Sequence, residues 1–130
     1  MGIVIKYLRE LVMSLALVSL LFACYSSVTV EPDASEAQIL YAAQVEFNNG
    51  NYDSAREYYN VLMQRYGDDA SINITTSYEL AYIDYKQKRY DEARAQFLNI
   101  QSRYENDEQA PEFPLWPLVL TEYMLAQLSE

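Results

Sequence analysis

Polar and apolar positions along this chain fall into three regimes. From Leu11 to Ala23 the residues are apolar apart from Ser14 and Ser19. From Tyr25 to Pro32 (Y-S-S-V-T-V-E-P) there is no helical period, and a proline closes the stretch. Beyond it, apolar residues return every three or four positions, the spacing that puts them on one face of a helix. A first helix is expected over about 34–48, with Asp33 as N-cap, Glu36 three residues further on, and Ile39, Ala42, Ala43 and Val45 facing inward. Asn49-Gly50-Asn51 reads as a turn, with Gly50 free to take left-handed backbone. A second helix is expected over about 53–66, where Ala55, Tyr59, Leu62 and Tyr66 share a face, and Gly67 stops it. After a loop at 68–71, a third helix over about 72–88 turns Leu80, Ala81 and Ile83 inward. A fourth over about 91–104 aligns Ala93, Phe97, Ile100 and Tyr104, and an acidic loop follows at 105–113. A last helix over about 114–128 carries Leu118, Tyr123, Leu125 and Leu128, with Pro114 and Pro117 admissible only in its first turn.

The second and fourth helices are copies. In a register of 38 residues, Tyr52 aligns with Tyr90, Asp53 with Asp91, Ala55 with Ala93 and Arg56 with Arg94. Tyr59 aligns with Phe97, Leu62 with Ile100, Arg65 with Arg103 and Tyr66 with Tyr104. Self-similarity at such a period implies stacked supersecondary units, each burying a face against its neighbour. The fold class expected is all-α: two antiparallel helix hairpins, over about 36–69 and 74–107, with a capping helix, stacked as an α-solenoid.

These segments resemble tetratricopeptide repeats. That motif places a small residue and an aromatic in the first helix, then Gly and Tyr at the turn, then Ala and an aromatic in the second helix. The slots hold Ala43, Phe47, Gly50, Tyr52, Ala55 and Tyr59 in the first copy and Ala81, Tyr85, Lys88, Tyr90, Ala93 and Phe97 in the second. Small residues at the crossing let the helices approach while aromatics fill the wedge. Lys88 stands where the turn glycine is usual, and no proline follows either second helix. The resemblance implies a concave groove lined by the first helices, falling here on Leu40, Tyr41, Gln44, Phe47 and Asn48 and on Tyr78, Glu79, Tyr82, Tyr85 and Lys86. Such an aromatic stripe could hold a peptide, or the last helix could cover it. Members that grip C-terminal carboxylates use a Lys and Asn clamp, which Leu40, Gln44 and Tyr78 do not supply.

The N-terminal regime looks like a secretory signal. Lys6 and Arg9 precede an apolar run of 13 residues, shorter than the roughly 20 of a membrane-spanning helix. It ends Leu21-Phe22-Ala23-Cys24, which resembles a bacterial lipobox. That implies a signal peptide at 1–23, lipidation (palmitate) of Cys24, and a lipid-anchored linker at 24–33 ahead of a domain at 34–130. The alternative is an uncleaved helical anchor. Resemblance to the lipoproteins of diderm bacteria implies, with Tyr25 rather than Asp after the cysteine, sorting to the outer membrane. A lipid anchor joined to long-period repeats is similar to the BamD-type lipoproteins of outer-membrane protein assembly and to CpoB (YbgF)-type periplasmic repeat proteins. The partners this implies are envelope proteins, with a second copy of the chain as a further possibility.

Composition narrows the chemistry. The 130 residues carry a formal net charge of -10 and no basic block, which argues against nucleic-acid binding. Histidine is absent and Cys24 is the single cysteine, so the usual His/Cys metal site, a His-based triad and an internal disulfide cannot be built. No cofactor is expected. Glu46 and Asp84, at equivalent repeat positions, are the one carboxylate pair to consider for acid–base work. A solvated role or pairing, as of Asp84 with Lys88 four residues on, is the simpler expectation. An interaction protein is therefore expected, rather than an enzyme, with a small-ligand binding component feeding a transporter as the alternative.

Overall fold

The computed structural model describes residues 1–7 and 28–129. Over residues 28–129 five α-helices follow in order: α1 (Glu36–Asn48), α2 (Tyr52–Tyr66), α3 (Ala70–Lys86), α4 (Tyr90–Asn106) and α5 (Trp116–Gln127), with a 3-10 turn at Ala110–Glu112 before the last. Among the described residues there is no strand, and no helix is long and apolar enough to cross a membrane. The apolar run and Cys24 lie outside the described residues.

Each helix packs on the next, and α5 reaches back to α3 as well as α4. The two hairpins, α1–α2 and α3–α4, cross where the sequence places alanine: Ala43, Ala55, Ala81 and Ala93 are each fully buried. Ile39, Tyr59 and Leu62 complete the first core, and Ile83 of α3 enters it, joining the hairpins. Tyr78, Phe97 and Ile100 anchor the second core, which Phe113 and Met124 close from the C-terminal side.

The helix ends depart from expectation in instructive ways. α1 opens on Ser35, not Asp33: the Ser35 hydroxyl accepts from the Gln38 amide and the Gln38 side chain accepts from the Ser35 N–H, a complete capping box. The residues before it are held elsewhere. Arg65 donates to the Glu31 carbonyl at 2.9 Å, the Tyr66 hydroxyl to that of Ala34 at 3.2 Å, and the Val28 N–H to Glu57 at 2.7 Å. The stretch expected to be a tether is thus fastened to α2 from Val28 onward. α3 starts at Ala70, inside the expected loop, because Asp69 accepts from the Ile72 N–H at 3.0 Å. Gly67 ends α2 without left-handed backbone, but a Cβ there would sit 2.2 Å from the Met63 carbonyl oxygen. At the two hairpin turns Gly50 (φ 79°) and Lys88 (φ 62°) are both left-handed. Lys88 therefore adopts the glycine conformation without being glycine. α4 runs two residues past its expected end, to Asn106, and Pro117 alone occupies the first turn of α5.

Candidate functional site

The first helices of the two hairpins and the C-terminal helix form a groove with two joined hollows. The wider, of about 350 Å³, is lined by Phe47 of α1, Tyr78, Glu79 and Tyr82 of α3, and Trp116, Leu120, Tyr123 and Met124 of α5. The narrower, of about 220 Å³, is lined by Leu40 and Gln44 of α1, Tyr59 of α2, Thr75, Thr76 and Glu79 of α3, and Trp116. Glu79 and Trp116 belong to both. The helix expected either to cover the groove or to leave it open instead builds one wall of it: Trp116 keeps 42% and Tyr123 60% of its surface exposed.

The aromatic rings form a ladder along this face. Phe47 stacks on Tyr82 at 5.6 Å between centroids and meets Tyr52 edge-on at 5.4 Å. Tyr82 stacks on Tyr78 at 6.0 Å and on Tyr85 at 5.9 Å, and Tyr85 leads to Tyr90. Tyr78 meets Trp116 edge-on at 5.4 Å. Rings held in this way contribute area at little entropic cost on binding. Of the ten residues expected to line the groove, Leu40, Gln44, Phe47, Tyr78, Glu79 and Tyr82 line its hollows. Tyr85 extends the ladder, while Tyr41, Asn48 and Lys86 stand exposed beside it. The repeat register did not point to Tyr59, Thr76 or the α5 wall, because α5 belongs to neither copy. Met124 of α5 lines the wider hollow and is buried in the second core.

Two acidic side chains of α3 have contrasting surroundings. Asp84 is 5% exposed and is gripped by Arg56 of α2, by Arg89 of the turn (Nε at 2.8 Å) and by Gln96 of α4. Burial works to raise its pKa, but the Gln96 amide and the two guanidiniums outweigh it and hold the carboxyl below the usual range. Lys88, the partner expected from i+4 spacing, takes no part. Glu46 instead accepts from the Asn51 side chain at 2.7 Å. The two carboxylates expected as a pair are thus engaged separately, with neither aimed at a common substrate position. Glu79 is partly buried in the groove. Burial raises its pKa, partly offset by a hydrogen bond from the Tyr59 hydroxyl. Tyr59 and Tyr78 are themselves raised by burial and by Glu79, so both hydroxyls keep their protons at neutral pH.

The tetratricopeptide repeat family matches residues 36–69 and 76–107, the two hairpins just described. The chain belongs to the tetratricopeptide repeat family. Repeats of this kind are interaction modules rather than catalytic ones. The chain is also 34% identical over 89 residues to an uncharacterized protein of Treponema pallidum (strain Nichols), a match spanning 65% of this chain and 35% of that one. It therefore spans about a third of that relative's length. No solved structure matches.

Proposed function

We propose that this tetratricopeptide repeat chain is a lipid-anchored scaffold of a bacterial envelope, periplasm-facing at the outer membrane, that binds protein partners of an assembly machinery through the groove between α1, α3 and α5. The observation that carries the reading is the open aromatic ladder, drawn from both hairpins and the terminal helix, on the face the family uses for binding. An assembly of the outer-membrane protein insertion type is the setting favoured by the lipobox, the long-period repeats and the acidic domain.

The anchor has a geometric consequence. Cys24 is four residues before Val28, where the chain is already fastened to α2, so the domain can stand no more than about 14 Å from a lipidated Cys24. Its groove would work close to the bilayer surface. Cys24→Ser should abolish lipid labelling and release the protein from membranes; unchanged processing and membrane association would remove the anchor from the account. Pull-down from detergent-solubilised envelope should recover a defined partner with the parent chain and lose it with Tyr82→Ala. Retention of the partner by that variant would move the binding surface elsewhere.

A second reading, a periplasmic binding component for a small ligand, draws on the narrower hollow. Native mass spectrometry of freshly purified protein tests it: a ligand carried through purification favours it, and a bare chain counts against it.

A further inference from the structure

Glu79 is the unusual group in the groove. The ion pairs of the described residues join Arg56 and Arg89 to Asp84 and Arg103 to Asp107; none involves Glu79. On one helix, five residues apart, Asp84 takes two guanidiniums and Glu79 takes none. A carboxylate drawn partly out of water is stable when a cation or a set of donors compensates it. Among the described residues, the Tyr59 hydroxyl is the one group that offsets the burial of Glu79.

What surrounds Glu79 suits a cation. Tyr78 and Trp116 stand edge-to-face beside it, and aromatic faces attract ammonium and guanidinium groups. Thr76, which also lines the narrower hollow, is buried, and its Oγ1 has no hydrogen-bond partner among the described residues. Gln44 adds a side-chain amide, whose oxygen can accept, to the same lining. Hydroxyl and amide oxygens accept from N–H donors, and a cationic side-chain head carries three or five of them. A carboxylate ligand would be repelled here, and an apolar one would leave Glu79 uncompensated. The narrower hollow has room for one side-chain head, and the wider hollow continues it past Phe47 and Tyr123 with room for the backbone that presents it.

We propose that Glu79, with Trp116, Tyr78, Thr76 and Gln44, forms a receptor for the ammonium or guanidinium head of a lysine or arginine presented by an extended segment of the partner protein. The proposal rests on the groove being the partner-binding surface, and it adds the chemistry by which that surface chooses. Charge complementarity with a chain of net charge -10 points the same way.

Trp116 is the single tryptophan, so its fluorescence reports on this site alone. The detergent-solubilised full-length chain is titrated with short peptides alternating Ala and Leu around a central Lys, Arg, Gln or Glu, and with Nα-acetyl-lysine methylamide as a free cationic head. The Lys and Arg peptides should perturb Trp116 and bind roughly tenfold or more tighter than the Gln peptide, with the Glu peptide weakest. Glu79→Gln should erase the difference between Lys and Gln peptides while circular dichroism stays unchanged. Tyr123→Ala should weaken all peptides and keep their order. Equal binding of the Lys and Gln peptides overturns the cation receptor and leaves the scaffold reading standing. A free head that binds as tightly as the Lys peptide makes this a small-cation site and overturns the peptide proposal. Failure of every probe to perturb Trp116 overturns it too, while partner pull-down judges the scaffold reading independently.

Discussion

Asp84 ties together three segments that no local rule connects: α2 through Arg56, the second turn through Arg89 and α4 through Gln96. Asp84→Ala would leave these donors facing a hole. Because Arg56 and Arg89 keep some contact with water, the expected cost is about 2–3 kcal/mol by urea unfolding, at the lower edge of what breaking a buried charge pair costs. The sign with pH follows from the lowered pKa. The carboxylate's contribution is fully present above the unfolded value, about 3.9, and is lost as pH falls through the lower folded value. The stability gap between the parent chain and Asp84→Asn should therefore be constant near neutrality and close in strong acid. Lys88 carries the opposite lesson. Left-handed backbone costs a non-glycine residue roughly 1–2 kcal/mol, part of which glycine returns as unfolded-state entropy. Lys88→Gly should accordingly stabilise by about 0.5–1 kcal/mol in the same measurement. The family motif pointed to position 88 as the turn, because Lys88 aligns with its glycine, whereas the helix expected over 72–88 ran through it and in fact ends at Lys86. The sequence could not point to Arg56 as the partner of Asp84, because that pairing spans 28 residues and depends on how the hairpins stack.

At the scale of elements, the helix crossings hold what the repeat register promised. Ala43 meets α2 and Ala81 meets α4 without exposed surface, so any larger side chain must push the helices apart. Ala81→Leu should destabilise by about 1–3 kcal/mol through overpacking, and Phe97→Ala by about 3–5 kcal/mol through the cavity it leaves. Comparable losses from an exposed helix position such as Arg94→Ala would mean that the crossing is not where stability resides. These elements were legible because their signal repeats: two copies of one spacing fix the buried face twice. The ends were less so. Ser35 and Asp33 both offer a capping box by spacing, and the choice falls to Ser35 because Arg65 and Tyr66 hold the carbonyls of Glu31 and Ala34. Asp69 looked like loop because Gly67 and Asp68 precede it, yet its carboxylate is what starts α3.

At the scale of the molecule, α5 does two jobs. Its buried side, with Pro117, Thr121 and Met124, closes the second core, and its outer side walls the groove. Two repeats alone are fewer than the roughly three a solenoid needs to bury a continuous core. Ending the chain after Asp107 should therefore turn cooperative unfolding into a broad, probe-dependent transition, as followed by circular dichroism and Tyr fluorescence. The groove was half legible in advance. Its α1 and α3 residues follow from the family pattern, whereas its third wall comes from a helix outside both copies. That wall also supplies the exposed Tyr123, whose replacement by Ala should leave stability within about 0.5 kcal/mol while reducing partner binding. The most direct test of the groove as the working surface is site-specific photocrosslinking in intact cells. A photoreactive residue at Tyr82, in the groove, is compared with one at Leu98, on α4 and lining no part of it. The account predicts that position 82 captures one defined envelope protein, that Tyr123→Ala diminishes the adduct, and that position 98 captures none of it. Capture of that protein from position 98 but not from 82 would contradict it.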